Sequence, residues 1–267
     1  MMARVLLLAV CLGLTLAPAY AEAPPASDAA ARLDTALREA AASYTEVKDY
    51  KALFVKQEAD EKGMGETEEI FLKFEKPFKI FMKWLNTHKK GLQVLYERGR
   101  HDGKLVIHKP GLLLGLAPVV YLNQDSPWVR EGSASYNIED AGIGTFLNDF
   151  TRAVAQGARE NKLKVEWPQE RLADVSFPGT QKDSVYFAQR IRALFDAKTG
   201  LPVRMELFDG AGQPMGVYEY RDLVVNGGDD AEFLKQINRH LLKVYSQALD
   251  KGGVKGSNFA RSAKGAS

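Results

Sequence analysis

The sequence is nearly without cysteine: Cys11 is the only one in 267 residues. It sits inside the apolar run Val5–Leu16, where bulky Val10 occupies the place at which a lipidation signal needs a small residue. Beyond residue 21 no thiol remains, which excludes a disulfide, a thiolate metal site and a cysteine nucleophile there. Histidine is scarce as well. His88, His101, His108 and His240 show no ligand spacing, although His101 and His108 could approach each other across a hairpin. Gly132-Ser133-Ala134-Ser135 lacks the glycine pattern of a nucleophile elbow, and Gly142-Ile143-Gly144 lacks the third glycine of a phosphate loop. Glu66, Glu68 and Glu69 abut a strand and read as a solvated edge. No enzyme activity, metal site or cofactor is expected.

Charge of one sign is also missing. Lys and Arg number 36 and Asp and Glu 34; without residues 1–21, which hold only Arg4, the balance is 35 minus 34, or +1. Such a balance gives no polyanion signature, so nucleic acid is not an expected partner. No apolar run is long enough to span a bilayer as a helix. Arg4, the short run Val5–Leu16 and Ala19-Tyr20-Ala21 instead form a cleavable signal peptide over 1–21. The expectation is an exported protein. Residues 22–250 contain no Pro-, Gly- or Ser-rich linker and read as a single domain. Residues 251–267 are Gly/Ser-rich, with four basic and no acidic side chains, and read as a disordered, solubilising basic tail.

What the chain does have is alternation. In Ile70–Trp84, the residues Ile70, Leu72 and Phe74, then Ile80, Met82 and Trp84, alternate with mostly charged neighbours around Pro77. Period-two alternation predicts two strands with one apolar and one charged face, turned at the proline. Lys73, Lys76, Lys79 and Lys83 belong to the polar side. Further strands are predicted at Tyr50–Glu58, Leu92–Arg98, Lys104–His108, Leu163–Trp167, Arg171–Phe177, Val185–Asp196, Leu201–Phe208 and Met215–Val225. Asp102-Gly103 marks a hairpin. The regular turn spacing predicts an antiparallel meander.

Three amphipathic helices are predicted to cover the apolar face: Ser27–Ser43, Gly142–Ala158 and Asp230–Leu249. The second presents Ile143, Phe146, Leu147, Phe150 and Val154 on one side. Gly111–Leu122 is uncharged and does not alternate, with Gly115 and Pro118 inside it. It reads as a buried loop or short helix, or as a greasy flap at a cavity mouth or membrane contact.

Ile70–Trp84, with its aromatic-Lys-Pro-Phe core, resembles the strand pair of LolA-like envelope proteins. More closely, it is similar to a bacterial family of unknown function described as outer-membrane lipoprotein-sorting-like. Phe54-Val55-Lys56-Gln57-Glu58, Tyr136–Asp140 followed by Ile143–Phe150, and Thr199-Gly200-Leu201-Pro202-Val203 followed by Tyr218–Asn226 fit the same pattern. The resemblance covers residues 45–226. It implies an α+β fold, a strongly curved antiparallel sheet forming a half-open barrel, with helices on its concave face. It also implies a monomeric periplasmic carrier or chaperone whose partner is a lipid or an acylated protein, with envelope membrane proteins as further partners. The acyl chains would lie on Ile70, Leu72, Phe74, Ile80, Met82 and Trp84 and on the helix residues Ile143, Phe146, Leu147 and Phe150. Leu112, Leu113 and Leu114 would form the flap. A second reading uses the same fold with a filled core as an envelope scaffold. A hydrolase would need a clustered Ser/His/Asp or two-carboxylate site that no motif selects.

Overall fold

The computed structural model of the protein describes residues 26–111, 119–127, 137–227 and 231–251. The signal peptide expected over 1–21, the flap residues Leu112, Leu113 and Leu114, and the basic tail beyond Lys251 lie outside the described residues.

Helix α1 (Ala26–Glu46) leads into strands β1 (Asp49–Asp60), β2 (Gly63–Met64), β3 (Glu68–Glu75), β4 (Lys79–Trp84), β5 (Gln93–Glu97), β6 (Leu105–His108) and β7 (Val120–Leu122). A short turn of 3-10 helix (Ile138–Ala141) precedes α2 (Ile143–Arg159). Strands β8 (Lys164–Gln169), β9 (Leu172–Ser176), β10 (Arg190–Phe195), β11 (Pro202–Phe208) and β12 (Pro214–Val225) follow, then α3 (Ala231–Gln236) and α4 (Arg239–Lys251).

The strands form one open antiparallel sheet in the order β7-β6-β5-β4-β3-β1-β12-β11-β10-β9-β8, with β2 beside β1. Two meanders therefore run outward from the centre, and β1 joins them by pairing with both β3 and β12. A bulge interrupts the β1–β12 pairing between Lys51 and Leu53. On the β12 side of that bulge, Asp222 takes a φ of 52°. The chain must pass from the edge strand β7 to the opposite edge β8, and α2 lies on that connection. Topology thus carries α2 across the sheet.

The pairing registers put Ile70 opposite Phe54 and Trp84, Leu72 opposite Ala52 and Met82, and Phe74 opposite Tyr50 and Ile80. All of these share one face, here the first face. Ile143 and the partly buried Tyr44 pack on it. In the β8–β12 half, Leu33, Leu37 and Ala40 of α1 and Leu147, Phe150, Ala153 and Val154 of α2 cover Ala173, Val175, Ile191, Ala193 and Leu207.

The predicted elements recur with instructive differences. The buried stripe of α1 is Ala29, Leu33, Leu37 and Ala40. Val185–Gln189, read as part of a long strand, is irregular, and only Arg190–Phe195 pairs. The end of the uncharged segment is edge strand β7, paired with β6. The predicted third helix is two. Asn238 interrupts it and caps α4, its Oδ1 accepting the His240 N–H at 2.8 Å.

The largest difference concerns the charged side of Ile70–Trp84. Phe71, Phe81, Leu95 and Val106 point away from the first face, and Phe233, Ile237, Leu241 and Tyr245 of the C-terminal helices cover them. The third predicted helix therefore packs on the opposite, second face. Lys73 and Lys79 are buried beneath it. The Lys79 Nζ donates to the Tyr245 carbonyl at 3.3 Å and lies over the Tyr245 ring. The Tyr245 hydroxyl donates to Glu75. Burial of Lys79 lowers its pKa, and Glu75 and Glu97 oppose that fall.

Candidate functional site

The first face carries a row of aromatic rings, because first-face positions of β5, β3, β1 and β12, and Phe78 in the Pro77 turn, are aromatic. Tyr96 meets Phe78 at 6.0 Å between centroids, and Phe78 meets Phe74 at 5.3 Å. Phe74 stacks on Tyr50 at 4.9 Å, and Tyr50 meets Tyr220 edge-on at 6.1 Å. Phe54 then joins Tyr220 at 4.9 Å to Tyr218 at 6.4 Å. Such contacts add to the burial of each ring.

The start of α2 is pinned to this row. The Tyr50 hydroxyl accepts the Ile143 N–H at 3.2 Å, and Tyr220 donates to the Ala141 carbonyl at 2.9 Å. Burial pushes both hydroxyls well above their ordinary pKa, so they serve as neutral hydrogen-bonding groups. Gly144 lies against the Tyr44 ring with no room for a side chain while that ring stays in place.

Each end of the row is polar. At one end, Tyr96 and Arg98 donate to Glu139, Arg98 at 3.0 Å. A cleft of about 260 Å³ opens there, lined by Gly103, Asn123, Gln124, Asp125, Asn137 and Glu139. Burial, and then the bond to Glu139, push Tyr96 up to about 12. The bond from Arg98 holds Glu139 below the usual carboxylate value. Neither group changes protonation near neutral pH, so the pair is poorly tuned for general acid–base chemistry.

At the other end, Glu68 accepts the Trp84 indole N–H at 2.8 Å and pairs with Lys89. Lys56 lies 3.6 Å from Glu68 and 3.1 Å from Glu58, which in turn accepts from Tyr218 at 3.1 Å. Burial opposes the charge on Glu68, but Lys56, Lys89 and Trp84 outweigh it and lower its pKa. Glu68 thus departs from its reading as a solvated edge. It is buried in β3, an interior strand between β1 and β4. Its place opposite Lys56 is a matter of register, and Lys89 reaches it only through the turn after β4. A Glu, a Lys and a Trp at alternating strand positions were the only available signal.

Ile70, Leu72, Phe74, Ile80, Met82, Trp84 and Ile143 come together in one apolar cluster, and Leu147 and Phe150 belong to a second. Phe146 is partly buried and touches both, as do Tyr44 and Tyr218. These three rings mark a seam between the clusters. His101 and His108 go separate ways: the His101 ring lies 5.6 Å from Tyr121, and His108 Nε2 lies 3.3 Å from the Asn238 side chain. Among the described residues, no group of three His, Cys, Asp or Glu could hold a metal ion. No described helix is long and apolar enough to cross a membrane.

No curated protein matches the chain. Solved structures that match include a putative outer membrane lipoprotein-sorting protein domain from Vibrio parahaemolyticus, at 13% identity and a TM-score of 0.34, over 79% of this chain and 99% of that one. A LolA superfamily protein from Nitrosomonas europaea matches at 9% identity and 0.30, over 71% and 91%. The Pseudomonas aeruginosa MucA/MucB complex matches at 14% identity and 0.39, over 80% of this chain and 62% of that one. A family model described as "Protein of unknown function (DUF1571)" matches residues 47–239, from the end of α1 to the first residue of α4. The match takes in all twelve strands and α2, and the chain belongs to this family.

Proposed function

We propose that the protein is a non-enzymatic, exported binding protein of the cell envelope. It acts as a monomer and takes the acyl chains of a lipid or lipidated protein between the first face of the sheet and α2. The observation that carries this reading is the seam: Tyr44, Phe146 and Tyr218 stand partly buried where the two apolar clusters meet. A chain entering there would slide along Phe74, Leu72 and Ile70 on one side and Leu147 and Phe150 on the other. Acyl burial at about 0.8 kcal/mol per CH₂ drives such uptake with no catalytic group. The polar cleft beside Arg98 and Gln124 offers hydrogen bonds to a headgroup. Native mass measurement of protein taken from an envelope fraction, with displacement of a fluorescent fatty acid, tests the reading. Acyl-chain adducts are expected, as is loss of the fluorescent ligand in Phe146→Asp. A clean apo mass together with no fatty-acid binding overturns it.

One observation favours a second reading, an envelope scaffold with a filled core. Ile70, Leu72, Ile80, Ile143 and Phe150 are each 0% exposed, packed by the protein itself. That reading expects a protein partner to co-purify without lipid.

A further inference from the structure

Most cations along the sheet have a carboxylate. On the second face Arg190 and Arg192 meet Asp174, Arg204 meets Glu206 and Glu219, and Arg221 meets Glu219. The C-terminal helices break this pattern. Lys235, Arg239 and Lys243 are exposed, each four residues from the next, and they form a ridge on the side turned away from the sheet. Phe233 to Leu249 contains no acidic residue. Among the described residues none of the three has an ion-pair partner, and the Arg239 contact is with the His240 ring at 3.2 Å. The His240 pKa is lowered first by burial and then by Arg239, Lys243 and His108, which reports the same positive field.

We propose that this ridge docks the protein on an anionic phospholipid bilayer. Two features favour a bilayer over a folded acidic partner. After Asp250 the sequence adds Lys251, Lys255, Arg261 and Lys264, spaced along Gly- and Ser-rich chain with no further acidic residue. Evenly spread charge suits a laterally uniform negative surface better than a shaped epitope. Leu242 and Val244 pack against the cluster beneath but are only partly buried, so part of each apolar side chain is left exposed beside the ridge. The apolar side of α4, Leu241 and Tyr245, stays on the sheet. Docking therefore needs no unfolding. The inference takes from the proposed envelope function only that a membrane is there to meet.

The test is co-sedimentation of the exported protein with vesicles of phosphatidylglycerol in phosphatidylcholine, and with phosphatidylcholine alone. Binding to the anionic vesicles only is expected, with release at high salt. Lys235→Gln with Lys243→Gln, both exposed, should leave melting unchanged. At about fivefold for each basic residue near the surface, the pair should weaken vesicle binding roughly 25-fold. No binding by the unaltered protein, equal binding to neutral vesicles, or full binding by the double variant overturns the proposal. So does capture of soluble polyglutamate in place of vesicles, which would make the ridge a site for acidic protein. The native mass of the same preparations reports acyl cargo separately, so loss of docking and loss of cargo are told apart.

Discussion

Glu68 and Trp84 show how single residues hold the first face. The indole N–H that Trp84 gives to Glu68 satisfies a buried carboxylate, so its removal leaves Glu68 short of a donor. Trp84→Phe keeps most of the ring but should cost about 1–3 kcal/mol, read as a lower urea midpoint at unchanged slope. Asp174 makes a comparable case on the second face. Burial opposes its charge, but hydrogen bonds from Arg190 and Arg192 outweigh that and lower its pKa below 3.8. A carboxylate with a depressed folded pKa contributes stability above its unfolded pKa, and that contribution is lost as pH falls through the folded value. Stability should therefore drop on acidification through and below the ordinary values of 3.8 for Asp174 and 4.5 for Glu68. Asp174→Asn should lower stability at neutral pH and flatten the acid limb in melts run across that range. A variant curve parallel to the original would rule the linkage out.

At the scale of elements, α2 is set by contacts at both of its ends. Tyr50 and Tyr220 hold its start, while Gly157 in its last turns leaves space for the fully buried Phe177. A Cβ on Gly157 would stand 2.8 Å from the Phe177 ring. Helix propensity alone would make Gly157→Ala stabilising by up to about 1 kcal/mol. Overpacking against a ring with nowhere to go costs about 1–3 kcal/mol, so a net lower melting temperature is expected. A rise would mean that Phe177 yields. Much of α2 was legible in the sequence: Ile143, Leu147, Phe150 and Val154 at helical spacing are buried as expected. Gly157 was not, since a helical glycine announces nothing until the ring against it is known.

For the whole molecule, the C-terminal helices act as a second cover on a sheet already covered on its first face. Deleting the chain after Gly227 uncovers Phe71, Phe81, Leu95 and Val106 together. A contiguous patch of this kind binds hydrophobic dyes and promotes association. The truncated protein should bind anilinonaphthalene sulfonate more strongly than the full chain and sediment as larger species. A monomeric, dye-silent truncation would mean that these helices are dispensable to the fold. Polar latches such as Lys83 to Gln236 at 3.0 Å and the Asn238 N–H to Gln93 at 2.7 Å fix where the helices sit.

Local pattern determined the strands around Pro77, the antiparallel meanders, the stripe of α2 and the apolar face with Ile70, Leu72 and Phe74, because alternation and helical spacing are written in consecutive residues. Only the tertiary structure decided what lies against each face. Phe71 and Phe81 read as stray aromatics on a charged side, yet they meet Phe233, Leu241 and Tyr245 from far along the chain. The burial of Glu68 beside Lys89, the row of rings from Tyr96 to Tyr218 and the seam at Phe146 likewise depend on strand register and on α2 crossing from one sheet edge to the other. Register and crossing are set by contacts between residues distant in sequence, which no local window contains.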